Sequence, residues 1–159
     1  MALKADRKYV LGGDRIDFFM NEVAERGGVA VFSTAGSGAA MDQTKQLATY
    51  AASPSGKAPV GILMNDMVSL DLTRQKLNPY KDEVQINSKV TLWEKGEVVT
   101  NYIQPGISVS SGDKAWLHAS GFISNTGFLG GPRIGTFMST KDEDGFAKVA
   151  VNLPSTSHV

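Results

Sequence analysis

The sequence predicts a mostly β fold: a small β-barrel or sandwich with long loops, preceded by an N-terminal arm that is extended or partly helical. One observation is the strict alternation near the C-terminus, where Ala147, Val149, Val151 and Leu153 share one face of a strand. A second is the series of short β-rich runs separated by turn residues, which is typical of barrels and sandwiches. The third is size, since 159 residues suffice for one domain with a core.

Charge separates the predicted arm, residues 1–27, from the predicted β-rich domain, residues 28–159. The first 26 residues hold five basic and five acidic side chains, whereas residues 27–41 hold none. The later neutral stretches contain apolar pairs, so we interpret them as strands joined by loops rather than as linkers.

Two conformations of the arm are open. Asp14 is placed to cap a short helix over Asp17–Arg26, in which Phe19 and Val23 lie four residues apart. The alternative is an extended segment that lies on a neighbouring molecule. In that case the large apolar run would anchor it: Phe18, Phe19 and Met20.

The rest of the chain is interpreted as strands and turns. Glu94–Glu97 predicts a hairpin turn, and Asp142–Gly145 predicts another before the alternating strand. The predicted strands are Val29–Phe32, Pro59–Met64, Val84–Ile86, Lys89–Trp93, Val98–Ile103, Ile107–Ser110, Ala115–His118, Ile134–Met138 and Phe146–Leu153.

Two parts of the chain resemble each other. Ala30–Phe32 leads through a loop to Val60–Asn65, and Ala115–Leu117 leads through a shorter loop to Ile134–Ser139. Both pairs share a strand, a polar excursion, a proline and then an aliphatic-Gly-x-apolar-Met sequence. Because the spacing differs, either an internal repeat or chance similarity between two strands accounts for the match.

Composition excludes several classes of function. Sixteen basic and sixteen acidic residues give a net charge of zero, which argues against a nucleic-acid partner. Cysteine is absent, so disulfides and thiolate chemistry are excluded. No apolar run is long enough to span a membrane, and the first residues lack the pattern of a signal peptide, so we expect a protein made in the cytoplasm with no membrane partner.

No motif predicts catalysis, a metal or a cofactor. Gly36–Ala40 lacks the Gly-Lys-Ser/Thr of a phosphate loop, and Asp142–Gly145 lacks the ligand spacing of a calcium loop. His118 has no nucleophile motif near it, and His158 lies in a polar tail. We therefore expect that the protein is not an enzyme and needs no cofactor.

The order of three motifs resembles that of small β-rich head proteins of tailed phages. Ser111–Leu117 resembles their Gly-Asp-x-Val/Ala-aromatic-Leu strand, Pro132–Phe137 their Ile-Gly strand, and Glu143–Leu153 their closing Asp-Gly strand. Asp71–Val84 looks like a segment of proteins encoded beside major capsid proteins. The family is that of capsid decoration, or cement, proteins, and the resemblance covers roughly residues 28–153. It implies a small, tulip-like β-barrel that binds the outside of the expanded shell, often as a trimer, and brings no catalytic residues.

The resulting hypothesis is a cement protein on the exterior of the virion, assembled in the host cytoplasm. Its partners would be the major capsid protein and, in a homotrimer, itself, because capsids offer threefold junctions. The alternation of Leu70 and Leu72 with polar residues favours a structured contact loop over Leu70–Tyr80. The predicted contact residues are Phe18, Phe19, Met20, Leu70, Leu72, Arg74 and Tyr80.

A second hypothesis is a carbohydrate- or ligand-binding β-module on a virion surface. Trp93, Trp116 and Tyr102 offer rings on which sugars stack, although aromatic residues are equally frequent in β cores.

Overall fold

The computed structural model describes residues 3–4, 14–33, 46–66, 83–84, 86–127 and 130–153. These residues are almost entirely strands and connections, and the helical segment among them is one 3₁₀ turn at Ala119–Gly121. The strands are β1 (Leu3–Lys4), β2 (Asp14–Met20), β3 (Ala24–Glu25), β4 (Val29–Phe32), β5 (Gln46–Thr49), β6 (Pro59–Asp66), β7 (Glu83–Val84), β8 (Lys89–Trp93), β9 (Lys95–Thr100), β10 (Lys114–Leu117), β11 (Ile123–Ser124), β12 (Arg133–Phe137) and β13 (Ala147–Asn152).

Five strands close into a barrel in the order β2-β5-β4-β6-β8. The pairings are antiparallel except between β2 and β5, which run parallel and close the wall. Alternation along these strands sends one set of side chains into the barrel interior, including Ala30, Val60 and Leu92. Gly61 allows the wall to close, since a Cβ built on it would lie 3.0 Å from Leu92 Cβ.

A second sheet has the strand order β1-β9-β13-β12-β10-β11 and curls into a half-barrel. The chain just after β9 meets β11 at one parallel bridge between Ile103 and Ile123. Its inner face carries Val98, Leu117 and Phe137, and it packs on side chains that the first barrel turns outward. The mostly β fold with a small barrel is therefore confirmed.

The last part of the predicted arm contains a barrel strand. Residues 14–20 form β2, which pairs with both β5 and β8, so the predicted boundary at residue 27 divides one barrel. Of the two open conformations, the helix over Asp17–Arg26 is wrong, because β2 ends at Met20 and β3 is formed by Ala24–Glu25. Leu3 and Lys4 pair with β9 of the second sheet.

Two predicted β elements are also wrong. β8 and β9 are not a hairpin: β8 pairs with β2 and β6, whereas β9 pairs with β13, so Glu94 is the link between two sheets. Ile107–Ser110 is an irregular loop in which Val109 alone is buried. The hairpin at Asp142–Gly145 is confirmed, since β12 and β13 pair antiparallel across it.

Candidate interaction surface

The structure divides the predicted contact residues into two groups. Phe18 and Met20, which are 1% and 0% exposed, fill the interior of the first barrel, and the Phe18 ring lies 5.7 Å from that of Phe32. Phe19, between them, is partly buried. Phe18 and Met20 are thus core residues and not contact residues. The other predicted residues lie outside the described part of the chain: Leu70, Leu72, Arg74 and Tyr80.

A two-stranded ribbon at one end of the first barrel exposes apolar side chains. β3 and β7 pair antiparallel, with Ala24 opposite Val84, and this buried pair joins the barrel core. Two large aliphatic side chains beside the pair are each 54% exposed, Val23 and Ile86. Both lie at the same end of the ribbon, Val23 just before β3 and Ile86 just after β7.

Backbone hydrogen bonds join the end of β2 to the residues that lead into β8, next to the ribbon, and carboxylates rim the ribbon. The amide of Asn87 donates to the carbonyl of Met20 at 2.7 Å, and the amide of Met20 donates to the carbonyl of Ser88 at 3.0 Å. Glu25 and Glu83 stand opposite each other on the two strands, and both are exposed. A shallow cleft lies between them, lined also by Val23 and Ala24. An apolar centre with a charged rim is the usual anatomy of a protein contact.

An aromatic cluster lies between the first barrel and the second sheet. The Tyr50 and Tyr102 rings are 5.4 Å apart, and Tyr102 stacks on Phe122 at 4.5 Å with an interplanar angle of 17°. Gly28 fits tightly against both tyrosines, since a Cβ there would lie 2.7 Å from Tyr102 Cδ1 and 2.8 Å from Tyr50 Cζ. We refer to Tyr50, Tyr102 and Phe122 as the seam cluster.

Polar contacts fix Tyr50 within the seam cluster. The amide of Gly28 donates to Tyr50 Oη at 3.1 Å, and that hydroxyl donates to the carbonyl of Glu25. The Glu22 carboxylate accepts from Thr49 Oγ1 and from the amide of Tyr50. Burial, followed by the neighbouring Tyr102, raises the pKa of Tyr50 well above its ordinary value. Burial and the carboxylates of Glu25 and Glu22 also raise the pKa of Tyr102. The cluster is therefore a neutral, hydrogen-bonded joint.

The three aromatic side chains of the carbohydrate hypothesis each pack against other residues of the chain. Trp93 packs against the core of the second sheet, and Tyr102 stacks on Phe122 within the seam cluster. A Cβ built on Gly127 would lie 3.3 Å from Trp116 Cδ2, so a loop covers one face of that indole. A ligand could stack on the covered face of Trp116 only if that loop moved.

The polar motifs have local structural partners. Asp142 Oδ1 accepts from the amides of Asp144 and Phe146 at 3.0 and 2.8 Å, which fixes the turn before β13. Within the described ranges, no three His, Cys, Asp or Glu side chains are grouped closely enough to hold a metal ion. The described part of the chain also contains no helix of the length and apolarity needed to cross a membrane.

Neither a protein-family model nor a curated protein sequence matches the chain.

Sequence reasoning missed the β3–β7 ribbon and the seam cluster. Ala24–Glu25 and Glu83–Val84 are too short to show a period, and their pairing joins residues about sixty positions apart. For β2, by contrast, the sequence carries a signal: Ile16, Phe18 and Met20 alternate with Arg15 and Asp17, which is typical of a strand.

Proposed function

We propose that this protein is a cement protein of a phage head. It binds the outer surface of the expanded capsid at subunit junctions, with the major capsid protein as its partner, and stabilises the head. A homotrimer suits this role because threefold junctions present three equivalent surfaces. The protein is then assembled in the host cytoplasm and resides on the capsid exterior.

One observation carries the proposal: the three motifs that resemble phage head proteins form three adjacent strands. Ser111–Leu117 contains β10, Pro132–Phe137 contains β12, and Glu143–Leu153 contains β13. In the sheet their order is β13-β12-β10, and their inward side chains share one core. Motifs that are separated in sequence but contiguous in space support a resemblance of whole structural units.

The surface that we assign to the capsid contact is the ribbon end of the first barrel. It presents Val23 in a cleft lined also by Glu25 and Glu83, together with the exposed Ile86. The predicted contact segment, 70–80, lies between β6 and β7 in sequence and outside the described residues. An aliphatic centre loses little conformational entropy on binding and gains from leaving water, which suits a permanent contact.

The test is saturation binding to expanded heads that lack the protein, using Val23→Ser and Ile86→Ser. Each substitution replaces an exposed aliphatic side chain, so the fold should remain and the affinity should fall by about tenfold, the effect of roughly 1.4 kcal/mol. Met138→Ser is the matched control, because Met138 is 46% exposed at the end of β12 in the second sheet. Its affinity should equal that of the wild type.

Three results would count against parts of the proposal. Wild-type protein that does not bind heads would contradict the cement function. Equal affinity of all three variants for the heads would show that the capsid contact does not lie at the ribbon. Binding to a glycan array that is lost in Trp116→Ala would favour the carbohydrate hypothesis.

A further inference from the structure

The second sheet repeats the plan of the first barrel strand by strand. Reading around the barrel gives the order β5-β4-β6-β8-β2, and reading across the second sheet gives β11-β10-β12-β13-β9, with β1 of residues 3–4 added at the edge beyond β9. Without β1, and numbered along the chain within each set of five, both orders are third, second, fourth, fifth, first. The five segments of each set therefore share a topology as well as a strand type.

The central strand pair has the same register and the same irregularity in both sheets. Ala30 pairs with Gly61, and the register shifts between Ala30 and the next residue. Ala115 pairs with Gly135, and the register again shifts immediately after the alanine. A bulge adds a residue to one strand and bends it, so the bulges at matching places give both sheets the same local bend.

The closing contact is also repeated. In the first barrel, Met20 is the parallel partner of Ala48, and the amide of Asn21 donates to the carbonyl of Ala48 at 2.9 Å. In the second sheet, Ile103 is the parallel partner of Ile123, and the amide of Gln104 donates to the carbonyl of Ile123 at 2.9 Å. The second sheet thus closes by one bridge at the place where the barrel closes by a ladder.

Hydrogen bonds at the strand ends match pair by pair. The amide of Gly27 donates to the carbonyl of Leu63 at 2.8 Å, and the amide of Gly112 donates to the carbonyl of Phe137 at 2.8 Å. The two glycines have φ of 110° and 94°, a region that favours glycine. Two further hydrogen bonds are matched in the same way. Leu63 N donates to Gly28 O in the first unit, and Phe137 N donates to Asp113 O in the second. Phe32 N donates to Ala58 O in the first unit, and Leu117 N donates to Pro132 O in the second.

The two units differ at the face where one packs on the other. Val29, Val31 and Ile62 point out of the first barrel and are 0% exposed because they complete the core of the second sheet. The registers make Lys114, Trp116 and Thr136 their counterparts. Lys114 is exposed, and the other two are partly exposed. Terminal units of repeat proteins replace an apolar docking face by a polar outer face in this way.

We propose that residues 14–93 and 95–153 are a tandem duplication of one five-stranded barrel unit. In this arrangement the outer face of β4 and β6 is a docking surface, and its partner is the open inner face of a second copy of the same unit, here held in the same chain. The proposal does not rest on capsid binding, so either can fail without the other.

Reciprocal exchange in the full chain tests the docking surface. Ile62→Thr places in the first unit the residue that the second unit carries, and Thr136→Ile is the reverse change. Ile62→Thr should lower the folded-to-unfolded equilibrium constant at least about tenfold in urea unfolding, because it buries a hydroxyl in the shared core. Thr136→Ile should change it by less than about threefold.

Ile62→Val should lower the folded-to-unfolded equilibrium constant less than Ile62→Thr does. If Ile62→Thr does not fold, Ile62→Val therefore still tests the docking surface. A wild-type unfolding constant in both Ile62 variants would overturn the docking surface. The duplication itself is tested by NMR couplings through hydrogen bonds in the wild-type chain. Each of the four matched pairs above should give one coupling in each unit, and couplings that connect the second unit differently would overturn the duplication.

Discussion

Tyr50→Phe is the substitution that most directly probes the hydrogen bonds that fix Tyr50 within the seam cluster. It keeps the ring, and with it the 5.4 Å contact to Tyr102, but removes the hydroxyl. That hydroxyl links two backbone groups of the first unit, since it accepts from the amide of Gly28 and donates to the carbonyl of Glu25. Gly28 is buried, so its amide has no access to water as a replacement partner.

The expected cost at neutral pH follows from these two bonds. A buried amide that loses its acceptor costs about 1–3 kcal/mol, and the carbonyl of the exposed Glu25 regains water at little cost. We therefore expect the free energy of unfolding to fall by about 2 kcal/mol. Tyr102→Phe is the matched control: its ring contacts remain, and its expected change is within about 0.5 kcal/mol.

The same substitution should change the alkaline limb of the stability curve. Burial raises the pKa of Tyr50 in the folded protein above the value of about 10 in the unfolded chain. Above pH of about 10 the unfolded chain therefore releases this proton first, and stability falls as pH rises towards the folded pKa. Below that pH both states hold the proton. Tyr50→Phe should show a shallower alkaline loss than Tyr102→Phe, which retains the more strongly shifted group.

The assay is urea unfolding followed by far-UV circular dichroism, at neutral pH and at intervals above pH of about 10. Equal midpoints for Tyr50→Phe and the wild type at neutral pH would refute the hydrogen-bonding role. Parallel alkaline limbs for the two variants would refute the assignment of the shifted proton to Tyr50.

Two further predictions concern the cores. Phe18→Ala should lower the free energy of unfolding by about 3–5 kcal/mol in thermal or urea unfolding, because Phe18 fills the first barrel. A loss within about 0.5 kcal/mol would show that Phe18 is not a core residue. Gly135→Ala should cost about 2–3 kcal/mol, because the added Cβ would lie 1.8 Å from the carbonyl oxygen of Ala150 and the strand must shift. A melting temperature equal to that of the wild type would show that β12 and β13 are spaced more widely.

Local patterns in the sequence predicted the strands well where pairing is local. The β12–β13 hairpin follows from the Asp142–Gly145 turn and the alternation after it, and both lie within twenty residues. The β8–β9 turn has an equally good local pattern, yet the two strands enter different sheets. Nothing near Glu94 encodes that choice, because β9 pairs with β13, about fifty residues further on, and with β1 near the start of the chain.

The candidate surface was less predictable for two reasons. The spacing of four residues between Phe19 and Val23 fits a helix, whereas the spacing of two between Phe18 and Met20 fits a strand. The segment is a strand because it pairs with β5 and β8 and closes the barrel. Exposure of Val23 depends on the β3–β7 ribbon, which exists because Ala24 and Val84 bury each other. Two-residue strands formed by distant segments leave no periodic signal.

The most direct test of the cement function is electron cryomicroscopy of expanded, undecorated heads after incubation with the purified wild-type protein. The proposal predicts new density on the outer surface, at a fixed number of copies per capsomer, into which the barrel and the second sheet fit with the β3–β7 ribbon against the shell. Heads whose outer surface is unchanged at saturating protein concentration would contradict it.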